Sequence, residues 1–208
     1  MGLKLKSFFG IDIKMRRFLL IFSLLISAAI AGCASTPYYK HRSHSANNGV
    51  VVGTIYERAA FVPYGTTFVL MDDKGNKYQL DRIRIKGVAF QEGRPKGAGT
   101  TFALELPPGS YKVVQWWLDY GSMDKKSETI PDNARFAVEA GKFSYIGRLD
   151  ANRFMEVASI RDNFDEDLPR LKRHADLAKH EIVNQSMTLQ GWWLPDPTGK
   201  RMNFAEPK

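Results

Sequence analysis

The sequence predicts a mainly β protein, an antiparallel β-sandwich with one C-terminal amphipathic helix, on three observations. From Gly49 to Arg161, short runs of β-branched and aromatic residues alternate with turn residues, as sandwiches and barrels require. Two of these runs alternate apolar and polar side chains with a period of two. Only after Asp162 does the apolar spacing change to three and four, the period of a helix.

The N-terminal segment differs from all of this. Met15-Arg16-Arg17 is followed by Phe18 to Ile30 without a charge, and then by Ala31-Gly32-Cys33-Ala34. A basic start, a short apolar run and a small-residue exit mark an export signal, since so short a helix enters a translocon but falls short of the roughly 20 residues that span a bilayer. Residues 1–14 resemble neither signal nor domain, and Met15 is a more ordinary start, which makes them a candidate upstream-start extension. Ile30-Ala31-Gly32-Cys33 resembles a bacterial lipobox. The resemblance implies diacylglycerol on the Cys33 sulfur, cleavage before Cys33 and acylation of the new amine. Residues 1–32 are then a signal peptide and 33–48 a lipidated tether, polar enough in Ser, His, Tyr and Asn to stay solvated.

The sandwich is expected over 49–161. Val50 to Glu57 opens it, and Thr66 to Asp72 leads through the hairpin-like Asp72-Asp73-Lys74-Gly75-Asn76 into Lys77 to Ile85. Gln91 to Gly99 holds Gly93, Pro95, Gly97 and Gly99 and reads as a loop. It lacks the Gly-Lys-Ser/Thr ending of a phosphate loop. In Thr100 to Leu106, Phe102, Leu104 and Leu106 share one face. Pro107-Pro108-Gly109-Ser110 turns the chain into Tyr111 to Tyr120, where Val114, Trp116, Leu118 and Tyr120 share one face and Val113, Gln115, Trp117 and Asp119 the other. Trp116 is thus the core candidate and Trp117 the exposed one. Beyond the polar interval Gly121 to Asp132, further strands follow at Asn133 to Glu139, Lys142 to Leu149 and Phe154 to Ile160.

Phe102-x-Leu104-x-Leu106-Pro107-Pro108-Gly109-Ser110-Tyr111 and Phe136-x-Val138-x-Ala140-Gly141-Lys142-x-x-Tyr145 resemble the pattern of transthyretin-like and carboxypeptidase-regulatory-like β-sandwiches, including uncharacterised bacterial lipoprotein domains. The resemblance covers about residues 50–150 and implies an Ig-like or transthyretin-like fold. It carries no catalytic residue across, because those domains mostly bind, adhere or support. The chain departs from the pattern in its glycine-rich insertion and its added C-terminal segment.

That segment, 162–208, is expected to pack on the sandwich as a helix and a short strand. Asp162, Asp165, Glu166 and Asp167 suit a helix start and lack the spacing of a calcium loop. Leu168, Leu171, Ala175, Ala178 and Ile182 then form one stripe, expected to dock over the face bearing Trp117, while Pro169 belongs in a first turn. Met187 to Leu194 reads as a strand with a second tryptophan pair, Trp192-Trp193.

Removing five basic residues (Lys4, Lys6, Lys14, Arg16, Arg17) and Asp12 with the signal takes the totals from 30 and 22 to 25 and 21, a net charge of +4 on 176 residues. That is too mild for the basic stripe of a nucleic-acid binder. A single cysteine excludes an internal disulfide and any cysteine-based metal or redox site. His41 and His44 lie in the tether, and His174 and His180, six apart, share no helical face, so neither pair predicts a metal site. No nucleophile elbow stands out and no two carboxylates are singled out, so no enzyme, no cofactor and no catalytic residue is predicted. The expected function is that of a lipid-anchored structural or protein-interaction module of the cell envelope, at the outer membrane in a Gram-negative cell because Ala34 is not the retention aspartate. Its partners would be the membrane through Cys33 and an envelope protein. The alternative is a peptidoglycan or polysaccharide binder using Trp117, Trp192 or Trp193, with an envelope hydrolase more remote.

Overall fold

The computed structural model describes residues 36–58, 65–93, 96–120, 123–127 and 134–194, and every element lies in the compact unit from Ser35 to Lys208. The protein is mainly β, with two sheets and little helix. The first sheet has the order β12-β10-β9-β1-β5-β4, with β11 also on β9, where β1 is Gly49–Arg58, β4 Ala89–Glu92, β5 Gly97–Leu106, β9 Phe143–Asn152, β10 Val157–Arg161, β11 Val183–Asn184 and β12 Leu189–Trp193. The second has the order β3-β2-β6-β7, with β8 also on β6, where β2 is Thr66–Asp72, β3 Lys77–Asp81, β6 Gly109–Tyr120, β7 Met123–Lys126 and β8 Arg135–Val138.

The sheets bury a shared core. Val51, Ile55, Phe102, Leu104 and Leu149 come to it from the first, and Phe68, Leu70, Leu80, Trp116 and Leu118 from the second. This is the arrangement that a period-two pattern with one apolar face requires. Trp116 is fully buried, stacked on Phe68 at 6.3 Å and edge-on to Trp192 at 6.3 Å. Nothing in the structure explains why its Nε1–H lacks an acceptor among the described residues. At the expected turn, Asp72 Oδ1 accepts from the backbone N–H of Lys74 (2.9 Å) and Asn76 (2.8 Å), and Gly75 takes φ +85°. After Pro107-Pro108, the Tyr111 hydroxyl donates back to the Pro107 carbonyl at 2.9 Å, and its ring stacks on Phe136.

Several expectations need correction. The sheets are not wholly antiparallel, because β9 runs parallel to β1 and to β11. Strands that far apart in sequence have ample chain for a long connection, so no hairpin dictates their direction. In β6, Val69 pairs with Gln115 but Leu70 with Val113, so a bulge leaves Val114 unpaired. Val113 therefore joins Trp116 in the core, and Val114 joins Trp117 outside, the reverse of the simple alternation. The expected loop Gln91 to Gly99 is largely a hairpin of β4 and β5. There Phe90 lies across Gly99, where a Cβ would stand 2.3 Å from the ring, so this glycine seats an aromatic ring and does not break a strand.

The expected single C-terminal helix is two short ones, α1 (Phe164–Leu171) and α2 (Ala175–Ala178). Pro169 sits inside α1, where its ring denies the Asp165 carbonyl a partner, and the helix ends two residues later. Leu168, Leu171, Leu177 and Ile182 pack on Val50, Val52, Phe143 and Tyr145. That surface is the outer side of the first sheet and not the Trp117 face of the second. The helices go where uncovered aliphatic side chains are.

β1 and β9 approach closely where Gly53 faces Gly147, which takes φ +120°. A Cβ on Gly53 would lie 2.7 Å from Phe102 Cζ and 2.7 Å from the Gly147 carbonyl oxygen. Gly53→Ala is expected to cost about 1–3 kcal/mol by overpacking, whereas Gly93→Ala, in open space, leaves the urea midpoint in place.

Candidate functional site

The most informative surface is where the chain enters the fold. The Pro37 carbonyl accepts from the Glu105 N–H at 2.9 Å, the Tyr39 N–H donates to the Ala103 carbonyl at 3.0 Å, and Tyr38 bridges Leu104. Residues 37–39 thus extend the edge of β5 beyond the reach of β4. Thr36 Oγ1 donates to the Gln79 carbonyl of β3 at 2.8 Å, joining the arm to the second sheet. Tyr39 is buried, and Tyr38 packs against the shared core. The expectation of a solvated tether is therefore corrected for residues 36–39, while residues 40–43 stay exposed. An open strand edge needs partners for its backbone groups, and two tyrosines bring enough apolar area to hold the arm there.

Three histidines gather around this arm. Tyr39 meets Phe143 edge-on at 5.4 Å and His44 at 5.3 Å, while His180 stacks on Phe143 at 4.0 Å. The Tyr39 hydroxyl lies 3.4 Å from His41 Nδ1 and 3.3 Å from His180 Nε2. His44 Nδ1 approaches Glu105 at 3.4 Å, a charge contact too poorly aligned to count as a hydrogen bond. The same carboxylate oxygen accepts from the Ser45 N–H and the Asn48 amide. Burial pushes the His180 imidazole below its ordinary value, and the positive charge of His41, His44 and Lys172 adds to the effect. Burial alone would raise Glu105, but the Ser45, Asn48 and His44 contacts outweigh it and hold the carboxylate low.

His174 stands apart from the other three. Its Nε2 accepts from the Val88 N–H at 3.1 Å and lies 2.9 Å from Thr101 Oγ1, and burial lowers its pKa against the pull of Asp176. Beside it is a cleft of about 200 Å³ lined by Tyr38, Lys40, Lys86, His174 and Asp176. Among the described residues, no group of three or more His, Cys, Asp or Glu side chains is placed to hold a metal ion. No helix there is long and apolar enough to cross a membrane.

A charged clasp binds the helices to the outer face of the first sheet. Arg148 donates Nε to Asp167 at 3.2 Å and Nη2 to Glu166 at 3.1 Å, and a second Arg148–Asp167 contact completes the fork. Tyr145 donates its hydroxyl to Asp167 at 2.7 Å, and Arg170 bridges Asp167 and Glu92. Glu92 in turn accepts the Tyr56 hydroxyl at 3.0 Å, while Arg170 lies over Phe90 at 4.0 Å. Burial raises the Tyr145 phenol, and the Asp167 charge raises it further. Burial alone would lower Arg148, yet the hydrogen bond and charge of Asp167 more than reverse it. The hydrogen bonds of the cluster run between the sheet and α1, so it fastens the helix to the sheet. A second buried carboxylate, Glu57, is held between Arg82 and Arg153.

The residues singled out from sequence do not converge. Cys33 lies outside the described residues. Trp117 is on the outer face of the second sheet but nearly buried, its indole N–H donating to Asp119 at 3.0 Å and Lys126 lying 5.1 Å over its ring. Trp192 is in the core against Trp116. Trp193 pairs through its backbone with Val157, and its side chain lies outside the description. The expectation of exposed Trp117 and Trp192 is corrected accordingly, since both indoles are taken up by packing. Tyr39, His180, Arg148 and Asp167 were missed. The adjacent aromatics Tyr38-Tyr39 in an otherwise polar segment were the available signal for the arm.

No family model matches the chain, and no curated protein does. Among solved structures, a leucine-rich repeat protein from Bacteroides thetaiotaomicron aligns at 18% identity over 52% of this chain and 14% of that one, with a TM-score of 0.30. The alignment thus spans only a small part of that protein, and the likeness is too slight to bear on fold or function.

Asp167→Ala would leave Arg148 and Tyr145 buried without their partner and is expected to destabilise the protein by about 3–5 kcal/mol in urea unfolding. Acid acts earlier than the carboxylates alone would dictate. His174 and His180 have folded pKa values below the unfolded value near 6.5, so the unfolded chain takes up more protons as the pH falls. Their stabilisation is full above about pH 6.5 and is lost as the pH falls towards their folded values. The urea midpoint should drop between about pH 7.5 and 5.5, and a His174→Gln, His180→Gln double variant should flatten that drop.

Proposed function

We propose that the chain is a lipid-anchored, non-enzymatic lipoprotein of the cell envelope, and that its body is a structural or protein-interaction module of the transthyretin-like sandwich type. In a Gram-negative cell its place is the outer membrane. The observation that carries this reading is the seating of the arm. The arm is fastened to the body from Thr36 onward, three residues after the lipobox cysteine, so a chain cleaved before Cys33 would carry its first attachment to the body close to its lipid. Two further features agree with it. The buried charges are tied up in attachment, and the turn with Tyr111 donating to Pro107 suits the resemblance to that sandwich family. Glycan binding through tryptophans loses its support, because Trp117 and Trp192 present little surface to a sugar.

Metabolic labelling with an alkyne fatty acid tests the anchor. The wild-type chain is expected to carry label and to run at the mature size, and Cys33→Ser to lose the label and persist as precursor. A labelled Cys33→Ser chain would falsify the assignment.

A further inference from the structure

Thr36 marks where an anchored chain must meet its membrane. Three peptide units separate Cys33 from Thr36, a reach of at most about 11 Å between Cα atoms. Thr36 is itself held on β3 by the Gln79 carbonyl. A lipidated Cys33 therefore keeps the β3 side of the body within a headgroup layer's thickness of the bilayer, where weak contacts are made at high effective concentration.

That side carries several exposed cations and an exposed apolar tip. Lys77 and Gln79 are exposed on β3, the edge strand of the second sheet among the described residues. In the segment after β3, Ile83 is 53% exposed, the Arg84 side chain is 85% exposed, and Lys86 is exposed. Lys40 adds a fourth cation from the arm, across the same cleft as Lys86. Acids stand among them: Asp72 and Asp73 lie beside Lys74 in the turn that enters β3, and Asp119 comes close to Ile83 at Gly65. Asp81 pairs with Arg84 at 3.3 Å and holds the backbone N–H groups of Ile83 and Arg84, which fixes the tip, and Asp176 lies across the cleft. The neighbouring Arg82 is spent on Glu57.

We propose that β3 and residues 82–86 form a membrane-docking surface. Lys77, Arg84, Lys86 and Lys40 meet anionic headgroups, and Ile83 enters the interface of the leaflet that holds the acyl chains of Cys33. The proposal rests on the lipoprotein reading and gives the anchored body an orientation. Basic side chains gain near an anionic leaflet within a Debye length, and a single exposed isoleucine adds apolar contact at the depth where it is solvated least.

The test couples residues 33–208, the unit that contains every described element, through the thiol of Cys33 to a maleimide lipid. The vesicles are of phosphatidylcholine alone or of phosphatidylcholine with phosphatidylglycerol, and amide exchange is followed by mass spectrometry. Exchange in residues 77–86 is expected to slow on the anionic vesicles, by roughly tenfold or more, and to recover in high salt. A Lys77→Gln, Arg84→Gln, Lys86→Gln variant with an unchanged urea midpoint should lose that protection. Equal exchange on both vesicles, protection elsewhere, or protection that survives in the triple variant overturns the surface. The chemical coupling does not depend on acylation in the cell. Protection here without fatty-acid labelling in cells would therefore sink the anchor alone, and labelling without protection would sink the docking surface alone.

Discussion

Arg148 is the constraint from which much of the architecture follows. A guanidinium on the outer face of a central strand, its side chain only 5% exposed, must be met by carboxylate or it costs several kcal/mol. Asp167 and Glu166 meet it from α1, and Tyr145 closes the remaining site on Asp167. This fastens α1 over β1, β5 and β9, with Leu168 and Leu171 on Val50, Val52 and Tyr145. The chain then runs through α2 to Ile182 and brings His180 onto Phe143. Only with His180 there does Tyr39 have its full set of neighbours. The placement of the entering arm is thus linked, contact by contact, to a buried ion pair on the far side of the helices.

The same chain of contacts holds the protein by fastenings that differ in physical kind from site to site. The clasp is a charge cluster shielded from water, so it resists salt and answers to loss of a partner. The arm is held by stacked rings, strand-edge hydrogen bonds and the His180 imidazole, whose burial disfavours its charged form, so it answers to protonation. Lys172 reinforces the second system by donating to the carbonyls of Leu177, Ala178 and His180 at the end of α2. Acid and charge removal therefore act on different fastenings of one body.

Much of the strand pattern was legible because it depends on neighbours in sequence. The alternation in Phe102, Leu104 and Leu106 marks a half-buried strand wherever it sits, and Asp72 to Asn76 closes its turn with its own side chains. The misreadings share one cause. Val113 and Val114 exchange faces because of a bulge opposite β2, and Gly99 is a strand residue because Phe90 crosses it from β4. The C-terminal stripe was read correctly as apolar, but the surface it covers is set by which sheet face is left bare. Nothing in residues 33–48 states that the backbone edge of β5 is waiting for them.

By itself the sequence determined the mainly β character, the turns, the helical end and the signal-like start, because each is written in local spacing and composition. Tertiary structure alone decided that β1 lies between β5 and β9 and runs parallel to the latter, that Trp192 belongs to the core, that His41, His44 and His180 share one tyrosine, and that the chain enters at β3. All four depend on side chains and backbone groups separated by tens of residues meeting in a common environment, and burial of that kind has no local period to read.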